Sequence, residues 1–169
     1  MMEIFHSMTL PDSKKDQTAR HVAILQESYR HYTGRYLFDP KLGASEAIVW
    51  LEQAPFALVS HGTQPDPIFN YGNQTALQLF GMTWDEFTRM PSRLSAEPVD
   101  RAERTRLLDH VSRDGYIDDY TGVRIAADGR RFLIRHATVW NLLDESGRFY
   151  GQAAMIPEWE VLQPVFTAD

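Results

Sequence analysis

No cysteine occurs in the 169 residues. That excludes disulfides, thiolate metal sites, a cysteine nucleophile and a cysteinyl photochemical adduct. Positive charge is not in excess either: 17 Lys and Arg face 23 Asp and Glu, for a formal net charge of −6. Nucleic acid and anionic membrane surfaces both require a basic footprint, so neither is expected as a partner. No apolar run approaches the length that crosses a bilayer. The opening MMEIFHSMTLPDSKKDQ lacks the apolar stretch of a signal peptide. The expectation is a cytoplasmic protein. Internal repeats and low-complexity tracts are missing too. What is there is the composition of an ordinary globular domain, 43% hydrophobic and 24% charged. The length suits one core with some extra elements.

Residues 1–16 read as a flexible N-terminus. From Gln17 to Thr33, Val22, Leu25, Tyr29 and Tyr32 recur at helical spacing and form one apolar stripe, which Tyr36 continues beyond Gly34. FDPKLG is a linker. A second helix runs from Ser45 to Gln53, with Ile48 and Leu51 on one side, and Pro55 stops it. Residues 17–55 thus form an N-terminal helical extension.

The densest stretch is SHGTQPDPIFNYGN, Ser60 to Asn73. FALVSH before it and Ile68–Tyr71 within it read as strands. Each proline drives the residue ahead of it toward extended geometry, so the stretch reads as a long hairpin connection. Asn73 has the chemistry of a helix N-cap. QTALQLF follows and closes at Gly81. Thr83 and Glu86 make a capping-box pattern for a second short helix, and a third starts near Pro98 and ends at Gly115. Three strands then follow, YIDDYTGVRI, RRFLIRHATVWNLL and RFYGQAAMI, parted by the turns ADG and DESG. The order predicts an α+β fold: a five-stranded antiparallel sheet with helices on one face, preceded by N-terminal helices. Its core spans 56–159, and 160–169 is a C-terminal tail.

Asn73 opening a helix that ends in LFG, MTWDEF directly after it, the Asp128-Gly129 turn and the ESG turn before RFYGQAA together resemble a PAS domain. PFALVSHGTQPDPIFNYGNQTALQLFGMTWDEF, MPSRLSAEP, RDGYIDDYTGVRI and ATVWNLLD…GQAA resemble more closely the MEKHLA domain family, within the PAS-like superfamily. HVAILQESYRHYTG is similar to that family's leading helix, so the likeness covers roughly residues 20–159. The hexapeptide of the family name is itself absent. Members include stand-alone bacterial proteins, and a related domain ends the plant class III homeodomain-leucine-zipper regulators. The resemblance implies a stand-alone sensory, ligand-binding or protein-interaction module with no reaction of its own.

Ser60 and His61 are a nominal nucleophile and base. As strand neighbours they face opposite ways and do not serve one another. The reading for His61 is a structural one, bonding across the connection. The arginines from Arg101 to Arg106 alternate with acids and read as a solvated helix face. None of the six histidines has metal-ligand spacing. His110, on the helix before the last strands, is a haem-ligand candidate against the plainer reading of a solvated histidine. Gln152 stands where a flavin-binding PAS relative places a glutamine. No cofactor and no metal are expected.

Strict alternation along Arg131–Leu143 puts Phe132, Ile134, His136, Thr138, Trp140 and Leu142 on the helix-packed face. His136 and Thr138 are the polar groups there that a ligand would meet. The candidate pocket is therefore Phe132, His136, Thr138 and Trp140, with an inward Asp119, Gln152, Tyr71, Phe80 and Trp84. A small enzyme acting around His136 is the alternative function. Leu133, Ala137 and Val139 fall on the other face and need a cover. The stripe Val22, Leu25, Tyr29 and Tyr32 supplies it, within the chain or from a second copy. The expectation is a homodimer built on that stripe with Leu133 and Val139.

Overall fold

The structure, a computed structural model, describes residues 12–162. The chain runs α1 (Asp12–Thr33), α2 (Ala44–Glu52), β1 (Ala57–His61), β2 (Phe69–Gly72), α3 (Gln74–Phe80), α4 (Trp84–Phe87), a 3₁₀ turn (Ser92–Ser95), α5 (Pro98–Asp114), β3 (Tyr116–Ile125), β4 (Arg131–Leu143), β5 (Phe149–Ile156) and β6 (Glu158–Val161). Of the segment expected to be flexible, residues 1–11 lie outside the described residues and 12–16 open α1. Of the expected tail, Glu160 and Val161 belong to β6, and 163–169 lie outside the described residues.

The local signals act as their chemistry dictates. Asn73 accepts from Ala76 N at 3.0 Å and starts α3. Gly81 closes it at φ 67, a left-handed conformation that costs glycine little. Thr83 and Glu86 supply both halves of the capping box on α4.

All strand pairs are antiparallel, in the order β2-β1-β5-β4-β3. β6 adds a sixth strand: Thr138 stands opposite Met155 of β5, and the same register continues with Arg135 opposite Glu158 of β6. Pro157 falls in the gap between the two ladders, where no donor is needed. α3, α4 and α5 pack on one face over Val59, Phe69, Phe80, Phe87, Leu107, Phe132, Ile134 and Val139. α1 and α2 close the other face over Leu58, Tyr71, Trp140 and Leu142, with Val22, Leu25, Tyr29 and Leu51 as their own contribution.

The alternation expected along β4 breaks in its middle. Phe132 and Ile134 face α3–α5, but so do Ala137 and Val139, while Trp140 and Leu142 lie under α1. The cause is a pair of offsetting irregularities in the β3–β4 ladder, one between Ile117 and Tyr120 and one between Tyr120 and Gly122. Asp119 (φ 55) and His136 (φ 56) take positive φ there. An extra residue in a strand turns every later side chain to the opposite face.

Candidate functional site

A cavity of about 60 Å³ lies between the inner face of the sheet and α5. Its wall is mostly apolar: Val59, Phe69, Phe80, Leu107, Ile134, Val139, Ala154 and Ile156 line it. Its polar side is built by His61, Ser95, Arg104, Tyr120, Arg124 and Gln152.

A hydrogen-bond chain runs along that polar side. Asn141 donates to the Val111 carbonyl at 2.8 Å and fixes itself to α5. Gln152 Nε2 donates to Asn141 Oδ1 and Ser112 Oγ, both at 3.1 Å, and to the Leu108 carbonyl at 3.3 Å. Those acceptors require the amide nitrogen on that side, so Gln152 Oε1 is the atom that meets His61 Nε2 at 3.0 Å. His61 Nε2 then carries the proton and Nδ1 accepts from Ser92 Oγ at 2.8 Å. Ser92 Oγ in turn accepts from Arg104 Nη2 at 2.7 Å. Burial, together with the nearby Arg104 charge, outweighs the Gln152 bond and lowers the His61 pKa to about 4. His61 is a neutral bridge. Gly151 makes room for it: a Cβ there would run into the His61 carbonyl oxygen.

Arg104 lies beside Arg124, which is 7% exposed. Burial and then the Arg124 charge bring Arg104 down to about 10. Arg124 donates to the Val123 carbonyl at 2.7 Å and to Tyr120 Oη at 3.2 Å. Tyr120 donates onward to Glu103 at 2.8 Å.

Of the expected pocket residues, Phe80 and Gln152 line the cavity. Phe132 sits in the same core, edge-on to Phe80 at 5.3 Å. The others lie elsewhere. His136 and Asp119 face each other at 2.5 Å on the exposed outer side of the strand irregularity, with side chains 59% and 76% accessible. Their positive φ carries them out of the alternation that had turned them inward. Thr138 donates to Asp118 at 2.7 Å, and Trp140 packs under Tyr29 of α1. Tyr71 belongs to the α1 side of the sheet, and Trp84 is 44% exposed, its ring T-shaped to Tyr71 at 5.9 Å. His110 pairs with Asp114 on the surface of α5. Among the described residues no three His, Asp or Glu side chains gather as a metal site.

The stripe expected to pair two copies is closed within one. Val22, Leu25 and Tyr29 are buried against the chain's own sheet, and Tyr32 stacks on Tyr116. Val139 lies on the opposite face, and Leu133 is half-buried beside β6. α1 also brings a buried polar seam: His21 Nε2 meets Ser60 Oγ at 2.9 Å, and Ser28 accepts from Leu143 N at 2.9 Å. Burial lowers His21 to a pKa of about 4. Trp140 Nε1 is buried there with no partner. Ser60 and His61 thus face opposite sides, as strand neighbours must.

Arg104 and Arg124 had not been read as site residues. Arg104 is no part of a solvated helix face. It falls three and seven residues before Leu107 and Val111, on the buried side of α5, and that spacing was the available signal. Arg124 shares strand parity with Tyr120, a signal visible only once the irregularity before Tyr120 is allowed for.

A model of the MEKHLA domain matches residues 19–161. No curated protein matches the chain. Among solved structures, the chain is similar to the PAS domain of a protein from Colwellia psychrerythraea, with a TM-score of 0.58, 16% identity, and coverage of 66% of this chain and 92% of that one. It is also similar to an RNA-binding light-oxygen-voltage receptor, with a TM-score of 0.60 at 17% identity. That match covers 71% of this chain but 34% of the receptor, about a third of its length. A light-oxygen-voltage domain from a flavin-analogue study matches with a TM-score of 0.55 at 17% identity, over 69% of this chain and 84% of that one. Likeness at these identities speaks to the fold, which is of the PAS type. No helix among the described residues is long and apolar enough to cross a membrane.

Proposed function

The chain belongs to the MEKHLA domain family, a PAS-type sensory domain, and from that premise we propose that it senses a small ligand held in the cavity beneath α5. The observation that carries this reading is the cavity of about 60 Å³ with the chain Asn141–Gln152–His61–Ser92–Arg104 along one wall. β4 and β5 link that wall to α1. Val139, Asn141, Gln152 and Ala154 face the cavity side, and Trp140, Leu142 and Ala153 between them carry α1. A ligand that favours one arrangement of Gln152 shifts the population of docked and undocked α1. The α1 seam suits that role because it is not optimally paired: the Trp140 N–H is orphaned in it.

No reaction belongs to this reading. Ser92, the serine that bonds to His61, is 1% exposed and its oxygen is held on two sides. The enzyme alternative rested on His136 in the cavity, and His136 lies in solvent.

Native mass spectrometry of the purified chain, with a mixture of small metabolites added, tests the proposal. The expected result is a retained non-covalent adduct that Ala154→Leu, which fills the cavity, removes. Retention of nothing, or an adduct indifferent to Ala154→Leu, overturns it.

A further inference from the structure

We infer that the cavity ligand is a small organic carboxylate, its charged end between Arg104 and Arg124 and its body on the apolar wall. This inference rests on the sensory reading above and names the ligand class of that site. Two guanidinium groups line one small cavity, and among the described residues neither forms an ion pair with a carboxylate. Two acids lie near this pair without bonding to it: the Asp66 charge acts on Arg104, and Glu103 shares the Tyr120 hydroxyl with Arg124. Glu103 accepts from Tyr120 at 2.8 Å, and Asp66 pairs with Arg93 at 3.1 Å. The partners the arginines do have are neutral: Ser92 Oγ for Arg104, and Tyr120 Oη and a backbone carbonyl for Arg124. Most of their N–H donors remain unused.

Buried charges persist in proteins when they are paired; Arg124 is buried and Arg104 half-buried, and the two repel one another. Their mutual effect is already visible in Arg104, which burial and Arg124 hold at about 10. An anion between them relieves both the lost solvation and the repulsion. The planar fork of arginine suits a carboxylate in particular. A phosphate fits less well, because its further oxygens would be turned onto Phe69, Ile134 and Val139. The size sets a second limit. At about 60 Å³ there is room for on the order of five water-sized groups, which suits a short-chain acid. Because Arg104 shares Ser92 with His61, an anion that draws Arg104 inward also acts on the His61–Gln152 bridge.

The test is a thermal-shift and calorimetric titration of the full chain at constant ionic strength. The probes are butyrate, its neutral isostere butyramide, and inorganic phosphate. Butyrate is expected to raise Tm and to bind at least ten-fold more tightly than butyramide. Arg124→Met and Arg104→Gln should each lose that preference. Arg124→Met should also melt no lower than the wild type without ligand, since it removes an unpaired charge; a purely structural arginine would lower Tm. Equal binding of butyrate and butyramide overturns the carboxylate inference and leaves the sensory reading standing. Stabilisation by phosphate and not by butyrate also overturns it. Failure of all three probes, with no adduct in the native mass spectrum, overturns both.

Discussion

Asn73 opens a helix, but its side chain holds four bonds rather than one. It accepts from Ala76 N and Leu58 N, each at 3.0 Å, and donates to the carbonyls of Leu51 and Phe56, each at 2.9 Å. It is fully buried and ties α2, β1 and α3 together. A simple cap is worth about 1 kcal/mol. Asn73→Ala strands three further buried groups, so the expected loss is roughly 3 kcal/mol or more. Urea unfolding measures it, and a loss near that of a simple cap would show that water replaces the missing amide. His21 and His61 give a second prediction at this scale. Both are held neutral by burial, with pKa values of about 4 against an unfolded value of 6.5. As pH falls below 6.5 the unfolded chain takes up protons that the folded chain refuses, so stability falls until about pH 4 is reached. Between pH 7 and pH 5 each histidine should cost roughly 1–2 kcal/mol. His61→Gln should flatten its share of that slope, and a pH-independent urea midpoint across this range would rule the account out.

The elements were legible where local chemistry decides them. Capping residues at Asn73 and Thr83, the closing Gly81, and Pro98 with Gly115 around α5 placed the starts of the three helices of the inner face and the ends of α3 and α5; α4 stops at Phe87, short of the expected end before Pro91. The strands β3 to β5 stood out by their turns. β6 was missed because EWEV is short and half charged, and it is a strand only because β4 offers a free edge there. The site was legible only in part, for one reason: strand parity assumes an unbroken strand. Positive φ at Asp119 and His136 reverses it, and neither residue announces that locally. The irregularity itself is testable. A left-handed residue is strained unless it is glycine. His136→Gly should therefore be neutral or slightly stabilising, and His136→Val should cost on the order of 1–2 kcal/mol. Both should bind ligand like the wild type, since His136 is solvent-facing. Loss of binding in His136→Gly with stability retained would return that histidine to the site.

At the scale of the molecule, the sheet is covered twice: once by α3–α5 around the cavity, and once by α1 and α2. The second cover carries two ion pairs, one part-way along α1 and one past its C-terminal end. Arg20 grips Glu145 of the β4–β5 turn at 2.8 Å, and Arg35, just past the helix, reaches Asp118 at 3.0 Å. Both ion pairs are exposed and add little. The apolar interface under Leu25, Tyr29 and Leu51 supplies the adhesion. This changes what a truncation should do. If α1 joined two copies, deleting it would turn a dimer into monomers. With α1 folded on its own sheet, deletion uncovers Leu58, Tyr71, Trp140 and Leu142 as one apolar face. A face of that kind on a sheet seeks a partner. The chain lacking residues 1–43 should therefore scatter more light than the full chain, not less, and melt at a lower temperature. A weak denaturant that undocks α1 should produce the same association in the full chain before the cavity core unfolds, seen as a rise in scattering ahead of the loss of near-ultraviolet circular dichroism. A truncated chain that stays monodisperse with an unchanged melting point would mean that α1 contributes no cover, and the route from cavity to α1 would fall with it.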